Sequence, residues 1–389
     1  MLKAIKKTLV LLGVRRILTL YNKITHKSII YNVNNSHVIK SKRCLFVYIT
    51  EPFCTNKLSD RHQNQWQAIE MARIIGSRGF IVDVADFQSK HIRFKNKYDL
   101  VIGLIPRGQN AYIKYMNPGC KQIAYLTSMN LEVTSANEVK RIEECYSRRG
   151  VKLEPRRNGG VIEKRIEQFN SVWYIGNEYN YHSYDCFKMP PVHYIKNTGY
   201  VFPWATTSID RDSHSFMYFG SAGQVHKGLD LLLELFAEEL KDCILYVCGS
   251  FVSEKDFAIE YHQELYNTPN IIPIGFISIE SKQYEILSKK CAYSILPSCA
   301  EGCAGSVLTN MSAGIIPIVS RECGFEEDEV RTWPDCKKDT IKQYILEYSN
   351  KDSIWIKNMS QYVINIVEHR YSKLAFTKSV EDAIDRTLK

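Results

Sequence analysis

Residues 291–320 have the sequence CAYSILPSCAEGCAGSVLTNMSAGIIPIVS, in which two apolar runs flank a loop and a short helix. The first run has the composition of a buried strand and ends at Pro297, and small residues dominate 298–305. A helix is expected over about 306–313, and the β-branched run 315–319 starts a second strand. The pattern predicts a βαβ unit whose loop lies at the carboxyl end of a parallel strand, where open sheets bind ligands.

The loop of this unit is a candidate ligand site. Small-residue loops and helix N-termini offer free N–H groups to anionic or hydroxyl-rich ligands. Glu301, inside the loop, can accept hydrogen bonds from the hydroxyl groups of a ligand. The alternative is that Glu301 only complements the dipole of the helix that follows it.

The stretch resembles the donor-binding signature of retaining GT-B glycosyltransferases, the glycogen-synthase-like or family 4 group. The matching positions are Pro297, Ser298, Glu301, Gly302, Met311 and Gly314. The resemblance implies an α/β GT-B fold, with two Rossmann-like domains facing a cleft and a C-terminal helix that crosses back to the first domain. One position departs from the family: Thr309 stands where a second Glu would accept hydrogen bonds from a ribose diol.

A second stretch, GSAGQVHKGLD at 220–230, resembles the phosphate site of the same family, in which Arg and Lys hold the donor diphosphate. Lys227 matches the Lys, whereas Ser221 stands where the family has the Arg. A Lys at a helix N-terminus opposes the helix dipole, an arrangement that favours an anion between them. The alternative is a lysine that faces solvent.

The resemblance implies that Lys227 and Glu301 are catalytic, Lys227 by offsetting charge on the departing diphosphate and Glu301 by orienting the sugar. Backbone N–H groups of 302–305 would assist. The donor-binding candidates are Gly220, Ser221, Gly223, His226, Lys227, Ser298, Glu301, Gly302, Cys303, Ala304, Gly305 and Thr309. No metal or cofactor motif accompanies them. Cys299 and Cys303 flank Glu301 without further ligands nearby, which favours small packing residues.

The first half of the chain alternates strand and helix patterns from Cys44 onward. Polar residues at strand ends and helix starts should face the cleft and contact an acceptor. These candidates are Arg61, His62, Ser128, Asn130 and Asn177. The tract 137–170 carries alternating charges, which predict a solvated helical hairpin.

The length of 389 residues suits two domains of ordinary size. The predicted division is a basic N-terminal segment at 1–43, an acceptor domain at 44–195, a donor-nucleotide domain at 196–368 and a returning helix at 369–389. Pro190, Pro191 and Pro203 cluster at the boundary between the two large domains.

The net charge of +9 comes from the N-terminal segment, where residues 1–43 contain ten Lys or Arg and no acid. The remainder is balanced and carries no nucleic-acid-binding motif, so nucleic acid is not an expected partner. The segment has the pattern of an amphipathic helix too short in its apolar run to cross a bilayer. It can lie on an anionic membrane, or it can pack on the first domain with its basic face in solvent.

Twelve cysteines without regular spacing, and no secretory signal ahead of them, favour a reducing cytosol. The expected protein is cytoplasmic, with peripheral attachment to the inner face of the membrane as the open alternative. The expected reaction moves a sugar, with retention, from a nucleotide-diphosphate sugar to a glycan or lipid-linked acceptor in surface polysaccharide or glycoconjugate synthesis. Two alternatives remain: an epimerase or phosphorylase on the same scaffold, and a non-catalytic sugar-nucleotide or glycan binder, which Ser221 and Thr309 motivate.

Overall fold

The computed structural model describes residues 27–35, 42–55, 58, 62–89, 92–104, 111–157, 160–205 and 210–389. Within these ranges the first sheet has seven strands: β1 (Ile29–Ile30), β2 (Lys42–Tyr48), β3 (Phe80–Asp86), β4 (Tyr98–Gly103), β5 (Met116–Leu126), β6 (Ser171–Tyr174) and β7 (Val192–Tyr194). Their order is β1-β3-β2-β4-β5-β6-β7, and all neighbours are parallel except β1 and β3.

The second sheet has six strands in the same described ranges: β8 (Asp212–Gly220), β9 (Ile244–Gly249), β10 (Ile271–Gly275), β11 (Cys291–Leu296), β12 (Ile316–Ser320) and β13 (Arg331–Trp333). They are parallel in the order β10-β9-β8-β11-β12-β13. The strand order reverses between β8 and β11. Ligands of doubly wound folds bind at this switch point, beyond the carboxyl ends of the strands.

The described helices are α1 (Asn64–Ser77), α2 (Leu131–Arg149), α3 (Glu178–Tyr181), α4 (Leu229–Glu238), α5 (Lys255–Glu260), α6 (His262–Asn267), α7 (Lys282–Lys290), α8 (Gly305–Ser312), α9 (Lys338–Ser349), α10 (Ser353–Arg370) and α11 (Lys373–Leu388). Short 3₁₀ helices span Glu51–Phe53, Ile113–Tyr115, Lys164–Gln168, His182–Tyr184, Phe251–Ser253 and Arg321–Cys323. The predicted boundary at 195–196 lies between β7 and β8.

Burial explains why the central strands are continuous apolar runs. Every residue of β11 and β12 is buried, as is the apolar part of β2. Helices cover both faces of a parallel sheet, so its central strands have no face in water. Amphipathic α4 buries most of its length against the second sheet.

The last helix crosses back to the first domain, as predicted. The ring of Phe376 on α11 lies 5.6 Å from that of Trp66 on α1, edge to face. Lys121 Nζ on β5 donates to the carbonyl of Thr387 at 2.6 Å, and Arg78 pairs with Asp385 at 2.9 Å. These contacts confirm the predicted architecture of two Rossmann-like domains with a returning C-terminal helix.

The prediction of a solvated hairpin at 137–170 is wrong. Its first part belongs to one long helix, α2, which is followed by the segment 150–157 without helix or strand, and we call α2 and this segment the arm. Arg148 of the arm pairs with Asp230 at 2.6 Å and with Glu234 at 2.8 Å on α4. Arg149 pairs with carboxylates at the end of α5 and on α6, at 2.8 and 2.7 Å. The alternating charges therefore match acidic residues of the second domain instead of solvent.

The amphipathic pattern predicted for the N-terminal segment falls mostly on residues 1–26 and 36–41, which lie outside the described residues. Among the described helices, none combines the length and apolar character needed to span a membrane. All twelve cysteines are free thiols.

Candidate functional site

A cleft of about 590 Å³ lies between the two domains, at the carboxyl ends of β8 and β11. Its wall contains residues of both domains. From the first domain come His62, Gln63, Thr127, Ser128, Leu131, Thr134 and Arg157, and from the second come Gly220, Ser221, His226, Lys227, Phe276, Ile277, Ile279, Glu301, Ala304, Gly305 and Thr309. The two loops singled out in the sequence thus meet in one cavity.

A buried ion pair joins Lys227 to Glu301 in this cleft. The side chains are 5% and 19% exposed, so the carboxylate is the more open partner. Ser298 Oγ donates to the same carboxylate oxygen, Oε1, at 2.9 Å. The helix α4 begins at Leu229 after a left-handed Gly228, so Lys227 lies just before the helix. In this structure the carboxylate of Glu301 supplies the negative charge that balances the lysine.

The ion pair keeps Glu301 ionised. Burial alone would raise the pKa of the Glu301 carboxyl, but the surrounding charges, that of Lys227 first and that of Arg157 after it, together with the hydrogen bond from Lys227 outweigh burial and hold the pKa below its ordinary range. The group therefore offers a permanently charged acceptor to a hydroxyl-rich ligand. A buried pair of this kind is costly to break by removing one partner, because the other is left as an uncompensated charge.

His226 lies beside the pair and is buried and neutral. Its Nε2 donates to the carbonyl of Ala300 at 2.8 Å, which leaves Nδ1 as the acceptor facing Cys299 Sγ at 3.4 Å. Burial lowers the pKa of His226 to about 4. Burial also raises the pKa of the Cys299 thiol to about 12. Cys299 is thus a neutral packing partner of the histidine.

The low pKa of His226 predicts a loss of stability in mild acid. Between its ordinary value of about 6.5 and about 4, the unfolded chain binds a proton that the folded chain does not. Stability should fall as the pH falls through this window, by about 3 kcal/mol in total, and level off below it. Denaturant unfolding of wild type and His226→Gln, at several pH values from 7 to 4, measures the difference.

Exposed His214 provides the matched control for this measurement, and His214→Gln should keep the wild-type pH dependence. If wild type and His226→Gln lose stability in parallel from pH 6.5 to 4, His226 is not the titrating group.

Amide side chains of the first domain, and that of Asn197 just beyond the boundary at 195–196, hold the loop that contains Glu301. They donate to the carbonyl oxygens of five loop residues: Asn137 to Cys299 at 2.9 Å, Asn180 to Glu301 and Gly302 at 3.0 Å each, Asn197 to Cys303 at 2.9 Å, and Gln63 to Gly305 at 3.0 Å. A Cβ on Gly302 would lie 2.4 Å from the carbonyl oxygen of Thr127, so only glycine allows this approach. The contacts of these amides with the loop were not predicted, because no local sequence pattern connects the amides to it.

The structure brings eight of the donor candidates to the cleft wall: Gly220, Ser221, His226, Lys227, Glu301, Ala304, Gly305 and Thr309. Thr309 Oγ1 donates to the carbonyl of Gly305 at 2.8 Å and accepts from Gln63 Nε2 at 3.4 Å. A first-domain amide thus contacts the residue that stands in place of the family's second Glu.

Four donor candidates are not among the residues that line the cleft. Ser298 Oγ donates to the carboxylate of Glu301 at 2.9 Å, and the N–H of Gly223 donates to Glu254 at 2.6 Å. Gly302 lies against backbone carbonyls of the first domain, and the side chain of Cys303 is buried. The expected group of free N–H donors over 302–305 is reduced as well, because the N–H of Ala304 already donates to the carbonyl of Cys323 at 2.9 Å.

On the acceptor side, His62 and Ser128 line the cleft, and Arg61 lies outside the described residues. The hydroxyl of Ser128 is buried without a hydrogen-bond partner among the described residues. Asn130 and Asn177 do not line the cleft, because each caps a helix. Asn130 Oδ1 accepts the N–H of Glu132 at 3.0 Å, and Asn177 Oδ1 accepts the N–H of Asn180 at 3.0 Å.

Arg157, at the end of the arm, lines the cleft and was not predicted. Arg157 Nη2 donates to the carbonyl of Ala222 at 2.9 Å and to Ser221 Oγ at 3.3 Å. Arg157 and Ser221 are far apart in the chain, so no local motif connects them. Within the part of the chain that the structure describes, no group of three or more His, Cys, Asp or Glu side chains is arranged to hold a metal ion.

A comparison with known protein families finds a match within the second domain. Residues 208–333 match the family model described as Glycosyl transferases group 1, a range that covers β8 to β13 and both cleft loops of that domain. Comparison with curated protein sequences finds no match.

The fold is similar to those of several solved structures. Sucrose-phosphate synthase from Thermosynechococcus elongatus has a TM-score of 0.61 at 12% identity, over 90% of this chain and 99% of that one. Anabaena Alr3699/HepE in complex with UDP and glucose has a TM-score of 0.54 at 12% identity, over 89% and 99%. A point mutant of S. aureus TarM in complex with fondaparinux, alpha-GlcNAc-glycerol and UDP has a TM-score of 0.51 at 13% identity, over 75% and 55%. The chain thus spans little more than half of TarM.

Residues 208–333 thus match the group 1 glycosyl transferase family model, and the chain as a whole has the GT-B fold. At sequence identities of 12–13% the similarity shows the fold only. The donor and the acceptor have to be inferred from the residues that line the cleft.

Proposed function

We propose that the protein is a glycosyltransferase that moves a sugar, with retention, from a nucleoside-diphosphate sugar to a hydroxyl of a glycan or lipid-linked acceptor in surface polysaccharide or glycoconjugate synthesis. The observation that carries the proposal is the buried Lys227–Glu301 pair at the switch point of the group 1 domain. The pair offers one positive and one negative group side by side. A sugar diphosphate needs both, a cation for the phosphates and an acceptor for the hydroxyls.

The proposed donor lies across the carboxyl ends of β8 and β11. Its diphosphate faces Lys227 and the turn at Gly220, and its sugar faces Glu301. The apolar side chains of Ile277 and Ile279 provide a surface for the base. Uridine is the first base to test, since the Anabaena HepE and S. aureus TarM structures contain UDP.

The proposed acceptor enters from the first-domain side, past His62 and Ser128. The buried hydroxyls of Ser128 and Thr134 have no partner among the described residues, so each can exchange a hydrogen bond with an incoming hydroxyl. When the bond from the sugar to the phosphate breaks, negative charge develops on the diphosphate beside Lys227. We propose that this cation supplies the charge stabilisation without a metal cofactor, so that transfer continues in the presence of EDTA.

The proposal is tested by incubating the protein with UDP-, GDP- and ADP-sugars and a panel of simple glycosides, and by assigning the product with NMR. An α-linked product from an α-linked donor supports retaining transfer, whereas a β-linked product contradicts retention. Turnover of the donor without a carbohydrate acceptor indicates an epimerase or phosphorylase. Tight binding of a donor that is never turned over indicates a non-catalytic binder.

We also propose that the protein is cytoplasmic and attaches to anionic membranes through the basic residues near its N-terminus. Full-length protein should sediment with vesicles that contain anionic lipid and be released by salt, because each basic residue near such a surface contributes about 1 kcal/mol. Replacing Lys3, Lys6, Lys7, Arg15 and Arg16 with Gln should abolish sedimentation.

The substitutions are preferable to truncation at Cys44, because β1 at Ile29–Ile30 pairs with β3 and is part of the first sheet. Neutral vesicles serve as the control. Equal sedimentation of wild type and the Gln variant would leave the segment without a membrane role. Nucleic acid is not among the proposed partners.

A further inference from the structure

We propose that Arg157, on the arm, is the second cation of the donor diphosphate site and replaces the arginine that Ser221 lacks. The inference rests on the proposed function, because it names a residue for the same donor. The geometry that motivates it joins two distant parts of the chain. Arg157 Nη2 donates to the carbonyl of Ala222 at 2.9 Å and to Ser221 Oγ at 3.3 Å, in the loop that follows β8.

The arm holds Arg157 in place through Glu138, a residue of α2 that is 2% exposed. Glu138 Oε2 accepts the N–H of Arg157 at 2.7 Å, and Oε1 accepts the N–H of Arg156 at 3.0 Å. A carboxylate that accepts two successive N–H groups fixes the backbone from which the Arg157 side chain departs. The guanidinium is therefore preorganised beside the loop.

Arg157 differs from three other arginines of the arm in how its charge is balanced. Arg148, Arg149 and Arg156 each form ion pairs with carboxylates of the second domain. Among the described residues, no carboxylate lies within ion-pair distance of Arg157, and its Nε is buried without a hydrogen-bond partner. A buried donor without a partner costs free energy, which an anion in the cleft would offset.

Arg157 also lies near the Lys227–Glu301 pair. A Cβ built on Gly223, in the turn before Lys227, would lie 3.2 Å from Arg157 Nε. Against the raising effect of burial, the charge of Arg157 joins that of Lys227 in keeping the pKa of Glu301 below its ordinary range. Both cations are thus close to the loop after β8, where a diphosphate can contact the two of them.

The chemistry of the two cations is complementary. The planar guanidinium donates two parallel hydrogen bonds to phosphate oxygens, and the ammonium of Lys227 acts as a point charge. The side chain of Ser221 is small, and the guanidinium of Arg157 lies next to it. An arginine at position 221 would need the space that Arg157 occupies. When the sugar–phosphate bond breaks, its electron pair moves onto the diphosphate, and both cations stabilise that charge.

Calorimetric titration with UDP, GDP and ADP, and with the three matching nucleosides, tests the inference on the full-length protein. Arg157→Ala should weaken binding of the preferred nucleoside diphosphate about 10- to 100-fold and leave nucleoside binding unchanged, since only the phosphate contact is lost. Arg157→Lys should lose less, because it keeps the charge without the fork. The double variant Arg157→Ala/Ser221→Arg should recover affinity by supplying a cation from the second domain. Lys152→Ala, an exposed cation on the same segment, is the control and should bind like wild type.

The outcomes separate this inference from the proposed function. If wild type binds a nucleoside diphosphate and Lys227→Ala weakens it while Arg157→Ala does not, Arg157 is not the second cation and the proposed function stands. Equal losses of nucleoside and diphosphate affinity in Arg157→Ala, without recovery in the double variant, would assign Arg157 a structural role only. If wild type binds none of the three diphosphates, the proposed function itself fails.

Discussion

Replacing Lys227 with Ala is expected to lower kcat/KM for sugar transfer by on the order of a hundredfold or more, comparable to the loss of one preorganised transition-state contact. The lysine is buried beside the proposed diphosphate site, where a charge interacts more strongly than in water. Because transfer places additional negative charge on the diphosphate, turnover should suffer more than ground-state binding. Steady-state kinetics with the preferred donor, together with titration of the free nucleoside diphosphate, measures both effects.

Two controls accompany the Lys227 variant. Lys282→Ala removes a lysine that is 75% exposed and should leave kcat/KM unchanged. Circular dichroism checks that Lys227→Ala is folded, because the substitution leaves the Glu301 carboxylate buried without its cation. A folded Lys227→Ala variant with wild-type kcat/KM would remove Lys227 from the catalytic site.

The part of the site that was predictable from sequence consists of short local signals. The Pro–Ser–Glu–Gly loop at 297–302 and the lysine at 227 each follow a buried strand, so they had to lie at the carboxyl end of a parallel sheet. The strand order confirms that β8 and β11 are neighbours. Two loops after adjacent strands meet in space, whereas before the structure Lys227 and Glu301 were assigned to one cleft because both stretches resemble elements of the same family.

The rest of the site depends on contacts between residues distant in sequence. Asn180 and Gln63 appear in the sequence as ordinary polar residues, yet their amides hold the Glu301 loop against the first domain. Arg157 could not be predicted for the same reason. The alternating charges of the arm do not reveal whether its side chains face solvent or the acidic residues of the second domain. Asn130 illustrates the opposite error, because a polar residue after a strand can cap the next helix instead of facing a ligand.

Contacts between the two domains also change the interpretation of Ser221 and Thr309, the two positions at which this chain lacks the charged residue of the family pattern. Taken alone, both substitutions suggested a weakened donor site. In the structure each position is contacted by a first-domain side chain, Ser221 by Arg157 and Thr309 by Gln63. The first domain thus contributes polar groups at the two places where the second domain lacks a charged residue, which argues for a rearranged site over a lost one.

Glu301→Gln is expected to lower kcat/KM for transfer by on the order of a hundredfold while preserving affinity for the free nucleoside diphosphate. Glutamine keeps the shape of the side chain but loses the charge that accepts hydrogen bonds from sugar hydroxyls. It also releases Lys227 from its ion pair, so the lysine becomes fully available to the diphosphate. The two members of one pair should therefore have opposite effects on diphosphate binding, with Lys227→Ala weakening it and Glu301→Gln maintaining or strengthening it.

The pH dependence adds an independent check on Glu301. The pKa of Glu301 is about 4.3 in the unfolded chain and lower in the folded protein. The ion pair therefore stabilises the fold above about pH 4.3, and this stabilisation is lost only as the pH falls toward the folded-state pKa. Glu301 should therefore cause no decrease of kcat/KM on the acid side between pH 5 and pH 8, a range that lies wholly above the reference pKa, and measuring kcat/KM across this range tests the expectation.

Titration of UDP, GDP and ADP into wild type, Glu301→Gln and Lys227→Ala distinguishes a role of Glu301 in binding the sugar from a role of the ion pair as a structural unit. A parallel loss of diphosphate affinity in both variants would show that the pair acts as a structural unit, and the assignment of Glu301 to the sugar would have to be abandoned.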